Sequence, residues 1–328
     1  MRRSRSFDSP ADSPEPAGSG ETRVAAVAAE SAAAVSLARR SFPAGLGPSP
    51  ALPAARQPSR SAFERRLAEG AASGVAERVA FPCGAVARLV ERVTFANGTR
   101  VVRKVVYSEA EAHAEVLASL VGRAVGARVP AVHQDGRCQM YLELMPGVPA
   151  VDLLRSRDQE RPYVESWPGL LLGVLDAVTD NYDRTAANWI IADDGTIAGI
   201  DHAASFTDPG RPGRVPGTTE PGDGALRSAF ARRWLVQPGC SHLPEWKDNV
   251  LHPADVDHWL RAVTALRPHF DQRGYAEQGQ DVVGRLRAIR SHAKGPQPWL
   301  AARTRLSSRS QTPKASSSRR SPSLRTAR

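Results

Sequence analysis

Residues 179–206 read TDNYDRTAANWIIADDGTIAGIDHAASF, and the fold class turns on this stretch. Asp183 and Asn188 stand in an Asp-x4-Asn spacing. Two short apolar runs follow, Trp189–Ala192 and Ile197–Ile200, on either side of Asp193-Asp194-Gly195-Thr196. Apolar runs flanking such a turn read as a hairpin, with Asp193 and Asp194 as turn formers. The chain then arrives at Asp201. The two ends of a tight hairpin lie side by side, so Asn188 and Asp201 come within reach of one divalent cation. Their oxygens are hard ligands of the kind magnesium takes, with substrate phosphates completing the shell. Asp183, earlier on the same loop, is placed to face an incoming nucleophile. A carboxylate that orients the acceptor, beside a metal that neutralises phosphate charge, is what phosphoryl transfer requires.

Upstream the chain is strand-rich. Ala85–Phe95 carries apolar residues at Val86, Leu89, Val93 and Phe95, then Asn97-Gly98, a favoured hairpin turn. Thr99–Tyr107 (TRVVRKVVY) is the return strand and carries Lys104. Of 44 basic residues only four are lysines, and Lys104 is the sole lysine in the first 246 positions. Where arginine is used almost everywhere, a retained lysine points to a site that needs a compact ammonium. Ser108-Glu-Ala-Glu111 is a capping box and opens a helix running to about Val125. Arg128-Val-Pro130 ends it. Val129–His133 and Met140–Leu144 read as short strands, and Pro146-Gly147 breaks the chain.

Downstream the chain turns helical. Trp167–Asp180 reads as a buried helix, residues 207–224 as a Gly/Pro-rich loop, and two or three helices are expected over about 225–236, 253–267 and 277–293. The pattern is a small strand-rich lobe with one helix, followed by a larger helical lobe with one hairpin.

Asp183-Arg-x-x-x-Asn188 and Ile200-Asp201 resemble the catalytic loop and metal segment of the phosphatidylinositol 3- and 4-kinase-like branch of the protein-kinase fold, in its small actinobacterial-type members. As in the members it resembles, Asp201-His202 stands at the position where protein kinases carry Asp-Phe-Gly. The resemblance extends to Arg103-Lys104-Val105 as the phosphate-gripping strand, to Ala114–Gly126 as the helix whose Glu115 pairs that lysine, and to Met140–Gly147 as the hinge between lobes. It covers about residues 80–293. It implies an α+β, bilobal protein-kinase-like fold and an ATP-dependent, magnesium-dependent kinase. Lys104, Gly84, Glu143 and Met145 would then meet the nucleotide, Asn188 and Asp201 the metal, and Asp183 the acceptor hydroxyl. Glu111 competes with Glu115 for Lys104, but the capping box already occupies it. The chain departs from the wider pattern: no His-Arg-Asp precedes the loop, and Cys83-Gly84-Ala-Val-Ala offers one glycine for the phosphate-covering turn.

Each residue also has a structural reading. Lys104 fits a surface strand, Glu115 an exposed helix face, and Asp183, Asn188 and Asp201 fit turns. His202 reads as a satisfied polar neighbour, and Arg184 either tethers the loop or meets substrate. Two other functions stay open beside the kinase: a kinase-fold scaffold that binds nucleotide weakly, and adenylyl transfer on the same fold. The acceptor is open among protein, lipid and small molecule.

The formal net charge of +10 is concentrated at the ends. Residues 295–328 hold eight Lys/Arg and no acid, and residues 1–60 hold eight Arg against five acids, so the middle is near neutral. The Ser/Pro/Ala/Arg-rich segment 1–60 (with a short Ala-rich helix over about 21–40) and the Ser/Arg tail 295–328 are expected to be disordered. The basic tail is a candidate contact for anionic partners. The folded unit is expected over 61–294, with lobes of about 61–145 and 146–294. With 328 residues, 41% of them hydrophobic, and a mean hydropathy of −0.36, the chain has material for a substantial core and no membrane-length apolar run. Cys83, Cys138 and Cys240 stand apart without Cys-x-x-Cys, and the basic N-terminus lacks an apolar stretch behind it. Together these features point to a cytoplasmic protein without a disulfide scaffold.

Overall fold

The computed structural model describes residues 60–81, 87–206, 219–240 and 243–295. The expected terminal tails, the helix over 21–40, Cys83, Gly84 and most of the 207–224 loop lie outside the described residues.

Five antiparallel strands form the N-terminal sheet in the order β1-β2-β3-β5-β4. They are β1 (Val75–Ala80), β2 (Ala87–Phe95), β3 (Arg100–Val106), β4 (Val132–Gln134) and β5 (Gln139–Glu143). The β2–β3 hairpin turns at Asn97-Gly98: Gly98 takes a φ of +81°, and the Asn97 side chain accepts the Thr99 N–H at 3.0 Å. Alternate residues of a strand face opposite sides. On one side Val93, Phe95 and Val101 pack with Phe63 and Leu67 of α1 (Arg60–Ser73). On the other, Val106, Met140 and Leu142 pack with Ala112 and Val116 of α2 (Glu109–Ala124).

Helix α2 starts where the capping box predicts: the Ser108 side chain accepts the Glu111 N–H, and Glu111 accepts the Ser108 N–H at 2.9 Å. Its stripe of Ala114, Leu117, Ala118 and Val121 joins the main core, formed largely by the C-terminal part of the chain. Replacing the fully buried Leu117 with Ala is expected to lower stability by about 2–5 kcal/mol, read from the urea unfolding midpoint.

The C-terminal part begins with β6 (Val148–Pro149), α3 (Ala150–Leu153) and α4 (Arg157–Val164). Helix α5 (Trp167–Thr179) is buried along Gly169–Thr179, as its continuous apolar run requires. A 3-10 turn (Ala186–Asn188) leads into the hairpin β7 (Trp189–Ile191) and β8 (Ile197–Gly199), to which β6 adds a third strand. Then come α6 (Asp223–Arg227), α7 (Ala229–Trp234), the ribbon β9 (Val236–Pro238) and β10 (Pro244–Trp246), α8 (Pro253–Thr264), α9 (Arg267–Asp271) and α10 (Ala276–Ser291). A strand-rich N-terminal sheet followed by a helical C-terminal part is the α+β, kinase-like architecture.

Two expectations are corrected. The single helix at about 225–236 is two, α6 and α7. Ser228 leaves the helix between them, caps α7 by accepting the Ala231 N–H, and donates its hydroxyl to Asp176 at 2.7 Å. The strand expected from Val129 starts at Val132, because Pro130 has no N–H and its carbonyl accepts the Ser119 hydroxyl at 2.6 Å. Helix α1, strand β1, the short elements around residues 148–164, helix α9 and the β9–β10 ribbon had no distinct sequence signal. Cys138 and Cys240 are free thiols.

Candidate functional site

Lys104 sits on β3 with the parity of Val102 and Val106, so its side chain rises on the α2 side of the sheet. Glu115 stands about two helical turns beyond the α2 cap and meets it. Lys104 Nζ donates to Glu115 Oε2 at 2.8 Å and to Asp201 Oδ1 at 2.7 Å. The second Glu115 oxygen accepts the backbone N–H of His202 at 3.0 Å. Two neighbouring elements, β3 and α2, and a segment 97 residues downstream of Lys104 thus meet at one ammonium. The Lys104 and Glu115 side chains are 5% and 0% exposed, while Asp201 keeps 35%. Burial by itself would lower the lysine pKa. Glu115 and Asp201 outweigh it and hold the pKa above its ordinary value, so Lys104 stays a cation. Glu111 is bound to the Tyr107 and Ser108 amides and stays out of this cluster.

The loop after α5 is built around Arg184. Its guanidinium meets Asp176 at 3.1 Å, and both side chains are fully buried. It also donates to the carbonyls of Asn188 and Ile200, the latter at 2.7 Å, and lies 2.8 Å from His202 Nδ1. Between the two earlier readings of Arg184, the structure shows a tether. It ties the end of α5 to both ends of the β7–β8 hairpin. A guanidinium only donates, so His202 Nδ1 accepts and the ring proton sits on Nε2. Burial, then the Arg184 charge, hold the His202 pKa well below its ordinary value. Burial also pushes the Asp176 carboxyl up, against the opposing pull of Arg184, Ser228 and Asn181.

On this frame Asp183 and Asn188 face each other. Asn188 Nδ2 donates to the Asp183 backbone carbonyl and to Asp183 Oδ2, the latter at 3.0 Å. Asn181 accepts the Asp183 N–H at 3.1 Å and donates to Asp176. The hairpin closes as its sequence predicts: Trp189 pairs with Gly199, and Ile200 N–H donates to Asn188 O at 3.0 Å. This brings the backbones of Asn188 and Ile200-Asp201 together. Among the described residues no group of three His, Cys, Asp or Glu side chains is placed to hold a metal ion.

Asp180, Asp201 and Phe206 are the left-handed non-glycine residues among the described residues, with φ of 53°, 53° and 60°. Clustering of such strain marks a segment over-determined by its surroundings. Asp180 ends α5 and accepts the Gly224 N–H at 2.8 Å. A Cβ on Gly222 would lie 2.1 Å from its carboxylate, so a side chain there would displace the Asp180 carboxylate. Phe206 N–H donates to Thr179 O at 2.8 Å, clipping the segment after Asp201 to the end of α5.

No protein-family model and no curated protein matches this sequence. Solved kinases are similar in part. The Rio2 kinase of Chaetomium thermophilum, in its ADP/Mg2+-phosphoaspartate complex, is 14% identical with a TM-score of 0.32, covering 76% of this chain and 74% of that one. The proinflammatory kinase CtkA of Helicobacter pylori is 12% identical with a TM-score of 0.37, over 70% of this chain and 96% of that one. The MAP kinase LmaMPK10 of Leishmania major is 20% identical with a TM-score of 0.25, over 44% and 50%. The kinase-like fold is read from this chain's own sheet order, its helical part and the Lys104–Glu115–Asp201 convergence.

The hinge residues divide. Glu143 on β5 shares the parity of Tyr141, on the α1 side of the sheet and opposite Lys104. Its carboxylate lies 3.7 Å from Arg66 and accepts the Ala131 N–H at 3.3 Å. Its side chain is therefore turned away from Lys104, and its N–H donates to Ala131 O at 2.8 Å. Met145 follows β5 and is half-buried. Sequence reasoning missed Asp176 and Ser228. The signal for Asp176 was present: it is the one ionisable residue in Gly169–Thr179, and a carboxylate in such a run demands a buried partner.

Proposed function

We propose that this chain is a kinase-like phosphotransferase that moves the γ-phosphoryl group of ATP to an acceptor hydroxyl. The observation that supports this most directly is Lys104 Nζ held between Glu115 and Asp201 at 2.8 and 2.7 Å. One ammonium between two carboxylates leaves negative charge at the half-open Asp201, a fit for a divalent cation. Asn188 commits its N–H donor to Asp183, so its amide oxygen is the atom suited to join Asp201 as a hard ligand. Magnesium bound there would neutralise charge on the phosphates.

In this reading Glu115 aims Lys104, whose ammonium holds the α- and β-phosphates. Asp183 is half-buried, kept in orientation by Asn181 and Asn188, and orients the acceptor hydroxyl, taking its proton as the new O–P bond forms and the bond to ADP breaks. The backbones of Glu143 and Met145 border the nucleotide. The finer family reading, phosphatidylinositol 3-/4-kinase-like, is supported by Asp183-Arg-x-x-x-Asn188 with Asp201-His202. The buried Arg184–His202 pair would do the framing work that other sequences assign to the loop and metal motif. A fold does not set a substrate, so the acceptor class stays with the assay.

Incubation of purified protein with Mg-ATP labelled separately at the α- and γ-phosphates tests the reaction. Phosphoryl transfer is expected to place γ-label, and no α-label, on protein or acceptor. Transfer of α-label would establish adenylyl transfer instead, and absence of both, with weak Mg-ATP binding, a scaffold.

A further inference from the structure

We propose that Tyr275 is a positioning residue: it holds α2 in the orientation that delivers Glu115 to Lys104, and it ties that helix to the segment carrying Asp201. Tyr275 lies at the start of α10, far from the site in sequence. Its ring meets His113 of α2 edge-on, with centroids 5.8 Å apart at 82°. The same ring meets Phe206 at 6.4 Å and 78°, and Phe206 in turn meets Phe270 of α9 at 5.9 Å and 90°. The Tyr275 hydroxyl donates to the Ala110 carbonyl in the first turn of α2 at 3.2 Å. That distance is long for an O–H donor, so the ring contacts carry most of the bridge.

The placement gives the contact its consequence. His113 and Ala110 bracket the N-terminal half of α2, and Glu115 lies just beyond them on the same rigid helix. Phe206 lies at the other end of the Asp201–Phe206 segment and is clipped to Thr179. One side chain from the C-terminal helices therefore spans both elements that supply carboxylates to Lys104. The Lys104 cluster cannot provide this by itself, because its two acids come from elements with separate anchors. The bearing on turnover rests on the phosphotransferase reading. The positioning itself does not.

The test is acylation of the full-length chain by an N-hydroxysuccinimide acetate, followed at each lysine peptide by mass spectrometry. Lys104 is buried, while Lys294, with half its side chain exposed, is the reference within each sample. Tyr275→Phe keeps both ring contacts and is expected to label at the wild-type rate. Tyr275→Leu and Tyr275→Ala remove the edge-to-face pairs and are expected to raise Lys104 labelling on the order of ten-fold relative to Lys294. Unchanged Lys104 labelling in either folded variant overturns the proposal, as does a rise shared equally by Lys294, which reports general opening. A Tyr275→Leu chain that does not fold makes the residue part of the framework and also overturns a positioning role. No nucleotide enters this experiment, so a wild-type protein inert toward Mg-ATP would defeat the phosphotransferase reading and leave this result standing.

Discussion

Asp183→Asn is expected to leave Mg-ATP affinity within a few-fold of wild type while transfer falls by a factor on the order of 10² or more. The asparagine keeps the shape of the side chain and a partner for Asn188, whose Nδ2 lies 3.0 Å from Asp183 Oδ2, but it takes no proton from an acceptor. Asp201→Ala is expected to behave differently. It removes the carboxylate that meets Lys104 at 2.7 Å and is proposed to hold the cation, so Mg-ATP binding and turnover fall together. Isothermal titration with Mg-ATP beside a transfer assay measures both. Equal loss of binding in the two variants would overturn the division of roles. Undiminished transfer in Asp183→Asn would remove the proposed chemistry and leave the fold.

The second large effect is on stability. Asp176→Leu leaves the Arg184 guanidinium buried without its carboxylate and is expected to destabilise the chain by about 3–5 kcal/mol, read from urea unfolding. The loss reaches beyond one ion pair, because Asp176 also accepts from Ser228 and Asn181, and Arg184 holds the Asn188 and Ile200 carbonyls. The double variant Asp176→Leu/Arg184→Met removes both charges and is expected to recover part of the loss, since a matched apolar pair costs no desolvation. Full additivity of the two single changes would show that the residues do not act as a pair.

The elements with local causes were legible before any coordinates. Asn97-Gly98 predicts its hairpin because glycine takes the left-handed backbone at the turn and the asparagine side chain accepts the Thr99 N–H, and Ser108 with Glu111 predicts the start of α2 because a capping box satisfies its own donors within four residues. The apolar run of α5 and the β7–β8 hairpin follow in the same way. Elements whose stability comes from packing, such as α1 on the outer face of the sheet, left no local mark. Ser228 split a helix that propensity would have continued, because a buried carboxylate 52 positions upstream drew its hydroxyl.

The site divides along the same line. From sequence alone came the convergence of Asn188 with the Ile200-Asp201 segment, since a short hairpin leaves its ends no other place to go. So did the preference for Glu115 over Glu111, since capping and pairing compete for one carboxylate. Only the tertiary structure decided that Arg184 is a tether, that Glu143 turns its side chain to Arg66 and away from Lys104, and that Tyr275 reaches across to α2. Spacing along the chain constrains residues joined by a turn or a helix. The partner of a buried charge or ring is set by which distant surfaces the core brings face to face, and one-dimensional order carries no record of that choice.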